Sequence, residues 1–437
     1  MGKKVLIAGG GHGGLCAGAF LAEAGFDVTV YERHDRDGMG YDWTDIFDPK
    51  ALAAAGLPMP PEDKFEYKTD MTFYGPGEHT AVQQHVPADQ REIKMERRDI
   101  YDLIIDRCEK TGVQFRYGCA VEGPLMAGDR VVGLKTADGD VYGDLVIDAC
   151  GCNSPVRAGL PACCLVEKEA KRFEKFYVYR AFYDRAGDAT DKYKVYLLPE
   201  GKLGIGWVAC EEEYADLLIG RFDPFDEAEV ERTADAYRKS NPCLGTERKR
   251  GGEFVQIPVR QPLSVLVADG YAAIGDSAFM TVPVIGSGIG LNLRASKMLA
   301  DAVIGDATET YSAETLWPYQ LAYFKNCGAG LAPLAAIKLL LTRISPAQLD
   351  YVLDNGILTS DELTITADST SLTSFLHFSP DLAKRGAMLV KDKDLVKKLA
   401  KVVKDVGEVS AVCAAMPKYY SKHGVEAWKK RYEKVFS

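Results

Sequence analysis

Long apolar runs are missing from this sequence of 437 residues. No stretch reaches the roughly 18 to 20 uninterrupted apolar residues that span a bilayer, and no signal-peptide cleavage pattern precedes the first strand. A basic excess is also missing, because 63 acidic residues outnumber 53 basic ones and give a formal net charge of −10. We therefore expect a cytoplasmic protein with no nucleic-acid partner and no transmembrane segment, and we leave peripheral contact with a membrane open.

Ordered cysteine and histidine motifs are missing as well. The eleven cysteines are an odd number at irregular spacing and contain no C-x-x-C pair, so we expect neither a disulfide framework nor a zinc or iron–sulfur site. Cys150 and Cys152 are interpreted as packed thiols, with a redox or substrate role as the alternative. The six histidines, which give no metal-ligand pattern, are His12, His34, His79, His85, His377 and His423. The sequence thus predicts no metal.

The N-terminal 32 residues carry a well-defined motif. An apolar run from Lys3 to Ala8 suits a buried parallel strand, and G-x-G-x-x-G follows it at Gly9, Gly11 and Gly14. After a helical stretch, the second strand runs over 27–32 and ends on an acidic residue. Strand, glycine turn, helix and acid in this order predict a βαβ unit that binds a dinucleotide.

Each part of this unit has a mechanical role. Gly9 permits the tight turn, Gly11 lets the backbone approach a pyrophosphate, and Gly14 allows helix and strand to pack closely. The helix N-terminus presents free N–H groups to the phosphates, and Glu32 would accept hydrogen bonds from the ribose hydroxyls. The remaining residues predicted to border the cofactor here are His12, Gly13 and Arg33. The motif alone does not distinguish NAD from FAD.

A later segment distinguishes them through a resemblance. Residues 270–296 resemble the second FAD signature of the glutathione-reductase-type flavoproteins, in which a strand ends at Gly-Asp. The resemblance implies that Asp276 binds a ribityl hydroxyl and that the helix near Gly288–Asn292 directs N–H groups at the flavin N1–C2=O edge. The residues that match the P-x-x-G-x-G-I pattern of the geranylgeranyl reductases are Pro283, Gly286, Gly288 and Ile289.

Two further segments match the same families. The sequence DLVIDACGCNSPVR (144–157) resembles the A-D-G-x-x-S-x-x-R segment of flavin hydroxylases and geranylgeranyl reductases. Gly151, Ser154 and Arg157 match this segment, whereas Cys150 replaces the usual Asp. At the start of a helix predicted over 98–110, Arg98 matches R-x-x-[FY]-D-x-x-L, where the arginine of these families borders the cofactor.

Over about residues 1–320, the chain therefore resembles the geranylgeranyl reductase and aromatic hydroxylase group of the glutathione-reductase-type FAD superfamily. The predicted fold class is α/β, with a Rossmann-like FAD-binding domain, an inserted β-sheet substrate domain and a C-terminal helical cap. The predicted boundaries are 1–65, 95–165 and 250–330 for the FAD domain, 66–94 and 166–249 for the substrate layer, and 331–437 for the helical region. Dense aromatic residues over 173–207 suit either a wall over an apolar pocket or an ordinary sheet core.

No catalytic group stands out in the sequence. The segment after the second strand is expected to run toward the flavin ring in this fold, so its polar and aromatic residues are candidates for substrate contact or proton delivery. A structural loop is the alternative. These candidates, with the proline of the reductase pattern added, are Tyr41, Asp42, Trp43, Asp45 and Pro283.

The resemblance implies an FAD-dependent oxidoreductase. We expect hydride transfer from the reduced flavin N5 to a C=C bond of a hydrophobic small molecule. The alternatives are a flavin-dependent aromatic monooxygenase and an electron-transfer flavoprotein that serves a quinone or a partner protein. A second strand–G-x-G-x-x-G–helix unit is missing from the sequence, so electrons are expected from transiently docked NAD(P)H or from a reduced carrier protein.

Overall fold

The structure is a computed structural model. It describes residues 2–437 except 85, 87, 190, 361–369 and 371–379. His85 and His377, and parts of the predicted substrate layer and helical region, therefore lie outside the described residues.

The described residues form nineteen strands and twelve α-helices. The strands are β1 (Lys4–Ala8), β2 (Asp27–Tyr31), β3 (Thr44–Phe47), β4 (Phe65–Tyr67), β5 (Thr72–Tyr74), β6 (Ala81–Gln83), β7 (Ile93–Glu96), β8 (Gln114–Arg116), β9 (Val121–Ala127), β10 (Arg130–Thr136), β11 (Gly139–Tyr142), β12 (Leu145–Asp148), β13 (Lys175–Arg185), β14 (Tyr193–Leu197), β15 (Gly204–Cys210), β16 (Tyr214–Arg221), β17 (Leu244–Pro258), β18 (Val267–Ala268) and β19 (Tyr271–Ala273). The helices are α1 (His12–Glu23), α2 (Lys50–Ala54), α3 (Arg97–Thr111), α4 (Pro155–Gly159), α5 (Glu227–Ser240), α6 (Ile289–Ile304), α7 (Trp317–Tyr323), α8 (Ala329–Leu341), α9 (Pro346–Asp354), α10 (Pro380–Gly386), α11 (Lys393–Ala414) and α12 (Lys422–Val435).

A six-stranded sheet in the order β18-β19-β12-β1-β2-β8 forms the first layer. All its pairings are parallel except β18 with β19. The side chains of Val5, Leu6 and Ile7 are completely buried, as expected for a central parallel strand covered on both faces. Helix α1 packs on β1 and β2 of this sheet and on α6, and residues of both glycine-rich turns line the same cavity. The predicted α/β class is confirmed.

A seven-stranded sheet in the order β17-β13-β16-β15-β14-β5-β6, called here the wall sheet, forms the second layer. One face of the wall sheet packs on α5 through Tyr196, Leu217 and Tyr237, and the other face belongs to the main core. The boundary predicted at residue 250 falls inside β17, which continues to Pro258. Two three-stranded sheets, β11-β10-β9 and β3-β7-β4, complete the β-structure.

The C-terminal helices pack on this body. One continuous helical stretch, Trp317–Leu341, has the length and composition of a membrane span, but 56% of its most apolar window is buried inside the protein. Lys338 within this stretch is itself buried, and its ammonium donates a hydrogen bond to the Phe173 carbonyl at 2.6 Å. Trp428 and Tyr432 of α12 are completely buried against it. We therefore assign this stretch to the core of the fold.

One feature of the cysteines differs from expectation. The structure joins Cys210 at the end of β15 to Cys243 just before β17, with a Cα–Cα distance of 6.2 Å. The irregular spacing gave no sign of this pair, because the two residues are 33 positions apart and meet only once the wall sheet has formed. The free cysteines include Cys150 and Cys152.

Candidate functional site

A cavity of about 740 Å³ lies between the six-stranded sheet and the wall sheet. Its lining at one end is made by the glycine turn after β1, and at the other end by the inward face of the wall sheet. We call this cavity the cleft. It brings together most of the site residues predicted from the sequence: Gly9, Gly11, His12, Gly13, Gly14, Glu32, Arg33, Tyr41, Trp43, Asp45, Gly151, Asp276, Gly286, Gly288 and Ile289.

The glycine turn leaves no room for side chains. Gly9 has a left-handed backbone with φ of +83°. A Cβ atom at Gly11 would lie 2.8 Å from the carbonyl oxygen of Ala149, and one at Gly14 would lie 2.6 Å from the Ala149 Cβ. The turn is therefore packed against the end of β12. The N-terminus of α1, which follows the turn, faces the cleft, as the binding of an anionic pyrophosphate requires.

Glu32 and His12 border this end of the cleft. The Glu32 carboxylate accepts hydrogen bonds from the backbone N–H groups of Gly10 at 2.7 Å and His34 at 2.9 Å. His12 stacks on Tyr101 with a ring-centroid distance of 4.3 Å, and its buried Nε2 has no hydrogen-bond partner in the described part of the chain. Burial, helped by the nearby Arg97 charge, lowers the pKa of His12 to about 4. The imidazole is therefore neutral at pH 7.

The start of α6 forms the second cofactor-facing surface. Gly286 has a φ of +74°, and the buried Oδ1 of Asn292 has no hydrogen-bond partner within the described ranges. Burial raises the pKa of Asp276 to about 6, although Arg97 and a hydrogen bond with Asn292 act in the opposite direction. An unsatisfied buried amide oxygen beside a carboxyl group of raised pKa indicates a position at which a polar ligand would bind.

The segment after β12 closes this side of the cleft. The buried Asp148 carboxylate accepts hydrogen bonds from Ser154 Oγ at 2.6 Å and the Tyr271 hydroxyl at 2.9 Å, which fixes the turn. Cys150 and Cys152 both line the cleft. Burial raises the pKa of the Cys150 thiol, and it raises that of Cys152 to about 11. Both are therefore protonated at neutral pH, as packed thiols are.

Three of the predicted site residues do not line the cleft. Arg98 points away from it and contacts Asp37 and Asp102, because consecutive residues of α3 project about 100° apart. Asp42 forms an ion pair with Arg250 at 2.6 Å. Pro283 is buried behind the turn that it precedes, and Ile285 lines the cleft instead.

Arg97 lies in the cleft where Arg98 was expected. Its guanidinium makes two hydrogen bonds of 2.6 Å to the Asp45 carboxylate, and it lies 5.1 Å from the ring centroid of Tyr41 and 5.5 Å from that of Trp43. The Arg97 charge lowers the pKa of Asp45 against the opposing effect of burial. Asp45 is thus an ionised partner of Arg97 and is not free to deliver a proton.

The wall sheet supplies the apolar part of the cleft. Phe73, Val195, Trp207, Leu218 and Arg180 stand directly opposite one another across five neighbouring strands, and all five line the cleft. Four of the five carry uncharged side chains. This row, on the face of the sheet that turns away from α5, makes a broad apolar surface across the cavity.

Arg180 is the charged member of that row. It is 5% exposed and bonds the Asp216 carboxylate at 2.6 and 2.9 Å. It also donates to the carbonyl and the hydroxyl oxygens of Thr44, which ties β13 to β3. A buried charge needs such complete pairing. The indole N–H groups of Trp43 and Trp207 beside it are buried and have no partner among the described residues.

Tyr193 lies one row further along the same face. It is 6% exposed and packs edge-on against Trp207. Its hydroxyl makes no hydrogen bond to any described residue, whereas the other ionisable side chains on this side of the cleft are paired: Arg180 with Asp216, and Lys68 with Glu92 at 3.0 Å. Burial and the nearby Asp216 charge raise the pKa of Tyr193. Its phenol therefore keeps its proton at neutral pH.

Metal chemistry has no visible ligand set here. Within the described parts of the chain, no group of three or more His, Cys, Asp or Glu side chains could hold a metal ion.

Comparisons with known proteins agree with this geometry. The family model of the NAD(P)-binding Rossmann-like domain matches residues 7–53. A digeranylgeranylglycerophospholipid reductase of Haloferax volcanii is 26% identical over 80% of this chain and 88% of its own length. A protein of the same name from Sulfolobus acidocaldarius is 23% identical over 99% of this chain and 97% of its own length.

Solved structures share the fold of this chain. A geranylgeranyl bacteriochlorophyll reductase-like protein from Thermoplasma acidophilum superimposes with a TM-score of 0.72 at 18% identity, over 92% of this chain and 99% of its own. A probable FAD-dependent monooxygenase from Pseudomonas aeruginosa gives 0.58 at 20% identity, over 81% of this chain and 100% of its own. The predicted resemblance and the predicted class, an FAD-dependent oxidoreductase with a Rossmann-like cofactor domain, are confirmed.

Proposed function

We propose that this protein uses FAD to reduce a C=C bond of a hydrophobic, lipid-like molecule. The observation that carries the proposal is the cleft itself, which joins a dinucleotide cradle to an apolar wall in one cavity. The curated relatives are named as reductases of a geranylgeranyl lipid, and their match over most of the chain favours this function above the monooxygenase alternative.

The residues of the cleft fit FAD. The side-chain-free turn at Gly9, Gly11 and Gly14 would hold the pyrophosphate, with Glu32 at the ribose. Asp276 and the start of α6 would hold the ribityl chain and the flavin, and the unpartnered Asn292 oxygen would gain a donor there. Reduced FAD, when bound, supplies a hydride from N5.

Tyr193 is our proposed source of the proton. Reduction of a C=C bond adds a hydride to one carbon and a proton to the other, so the protein must hold an acid that is still protonated at neutral pH. Tyr193 Oη meets this need because Tyr193 lines the cleft, its phenol is protonated at neutral pH, and it donates that proton to no described residue. The apolar row beside it would orient the hydrocarbon and exclude water.

The electron donor is proposed to dock transiently. The cleft offers one dinucleotide cradle, and the sequence contains no second one. NAD(P)H or a reduced carrier protein would therefore deliver electrons through the open side of the same cleft.

The test is a reduction assay without oxygen. The FAD-loaded protein is reduced with dithionite and mixed with a digeranylgeranylglycerophospholipid in detergent micelles. We expect oxidised flavin absorbance to return and a product heavier by two hydrogens per reduced bond to appear by mass spectrometry. An unchanged lipid, together with oxygen-dependent hydroxylation of an aromatic compound, would instead establish the monooxygenase alternative.

A further inference from the structure

Charge is distributed unevenly between the C-terminal helices and the rest of the chain. Residues 380–437 contain 14 Lys and Arg against 7 Asp and Glu, whereas the whole chain has a net charge of −10. A local excess of seven positive charges on an acidic protein indicates a surface that binds an anionic partner.

Helix α11 concentrates this charge on its outer side. Lys393, Lys397 and Lys404 are separated by four and seven residues, so they project within a narrow sector of the helix. All three are exposed, and none makes a salt bridge to a described residue. Lys398 and Lys401 on the flank are different, because they pair with Asp394 and Asp405.

Apolar side chains lie beside these lysines. Val396 and Val403 project next to the lysine sector and are 39% and 72% exposed, and Val390 just before the helix is 70% exposed. The opposite side of α11 is buried against α8 through residues such as Leu395 and Val409. The helix therefore uses one side for the core and presents a second, partly apolar side to solvent.

We propose that this side of α11 docks on an anionic lipid bilayer. The lysine–valine face, defined as Lys393, Val396, Lys397, Val403 and Lys404, has the composition of an interfacial helix, with basic groups for the headgroups and branched apolar groups for the acyl boundary. Charge complementarity selects the anionic surface, because no acidic side chain lies between the valines and the lysines on this sector of the helix.

The test is sedimentation of the FAD-loaded protein with phosphatidylcholine vesicles that contain or lack phosphatidylglycerol. We expect binding to the anionic vesicles and its loss as salt is raised. The variant K393Q/K397Q/K404Q should bind about a hundredfold more weakly, since each lysine near an anionic surface contributes about fivefold. Val403→Asp should also weaken binding.

The matched control is K110Q/K135Q/K239Q. It removes the same charge from three exposed lysines on other elements, and it should bind like the wild type. Circular dichroism checks that each variant is folded. Equal binding of the wild type to neutral and anionic vesicles, an equal loss of binding in the control variant, or no binding of the wild type to either vesicle would each overturn the proposal. This readout requires no turnover, so its failure is distinct from failure of the proposed reductase activity.

Discussion

Tyr193 is the residue on which the proposed chemistry depends most directly. Tyr193→Phe removes a single hydroxyl oxygen and leaves the ring packed on Trp207, so FAD binding and flavin reduction should be unchanged. Product formation in a single turnover should fall about a hundredfold or more, the usual contribution of a general acid. Because its pKa is raised, the wild-type rate should stay flat from neutral pH into the alkaline range.

Tyr41→Phe is the control for this prediction. Tyr41 also lines the cleft and has a raised pKa, but its ring lies beside Arg97 and Trp43, whereas Tyr193 packs on Trp207. A large loss of turnover in Tyr41→Phe, together with normal turnover in Tyr193→Phe, would show that Tyr41 supplies the proton and would contradict the proposal.

Asp276 predicts a pH-dependent stability of the FAD-free protein. Its folded pKa of about 6 lies above the ordinary value, so its contribution to stability is present at low pH and is lost as the pH rises from about 4 to 6. Asp276→Asn should therefore make the FAD-free protein more stable by about 3 kcal/mol at pH 7.5, while weakening FAD binding. Urea unfolding at pH 7.5 and near pH 4 measures the difference, which should disappear at the lower pH. A variant that is less stable at pH 7.5 would show that the carboxylate is well solvated.

At the scale of elements, Arg180 joins three strands. It pairs with Asp216 of β16 and bonds Thr44 of β3 from its own position on β13. Arg180→Met leaves the Asp216 carboxylate buried without a partner and should destabilise the protein by about 3 to 5 kcal/mol. The double variant Arg180→Met/Asp216→Leu should recover much of this loss, as measured by urea unfolding. A double variant no more stable than the single one would mean that the bonds to Thr44 dominate.

Elements with local signals were predictable from the sequence. The first strand, expected over 3–8, is observed as Lys4–Ala8, and the helix expected over 98–110 is observed as Arg97–Thr111. Glycine spacing, apolar runs and a closing acid are short-range patterns, and they specified the βαβ unit.

The wall of the cleft could not be predicted in the same way. In the order β17-β13-β16-β15-β14-β5-β6, β14 pairs with β5 although the two strands lie more than 100 residues apart in the sequence. The row from Phe73 to Arg180 exists only in that register. The exchange of Arg98 for Arg97 shows a similar limit, because a one-residue difference in helix phase decides which arginine faces the cleft. One signal in the sequence could have indicated the buried charge of the wall sheet: Arg180 stands within an otherwise uncharged strand centre (VYRAF).

At the scale of the whole molecule, FAD should stabilise the fold, because the cleft lies between its two main layers. A ligand at a hundred times its dissociation constant adds about 2.7 kcal/mol, so thermal unfolding should shift upward by several degrees with FAD. FMN, which lacks the adenosine half, should shift it less.

Gly11→Ala should abolish the shift, since its Cβ would meet the Ala149 carbonyl oxygen. Gly407→Ala in α11 is the matched control because nothing lies within 4 Å of the added atom, and it should respond to FAD like the wild type. If FAD raised the unfolding temperature of Gly11→Ala as much as that of the wild type, the cofactor would not bind at the glycine turn.

The single dinucleotide cradle also bears on the order of events in the proposed catalytic cycle. An electron donor and a lipid that use the same opening must visit it in succession, and each must depart before the other arrives. Initial-rate plots for the two reactants should therefore be parallel lines, the kinetic pattern of a double-displacement enzyme, and an excess of either reactant should inhibit competitively against the other.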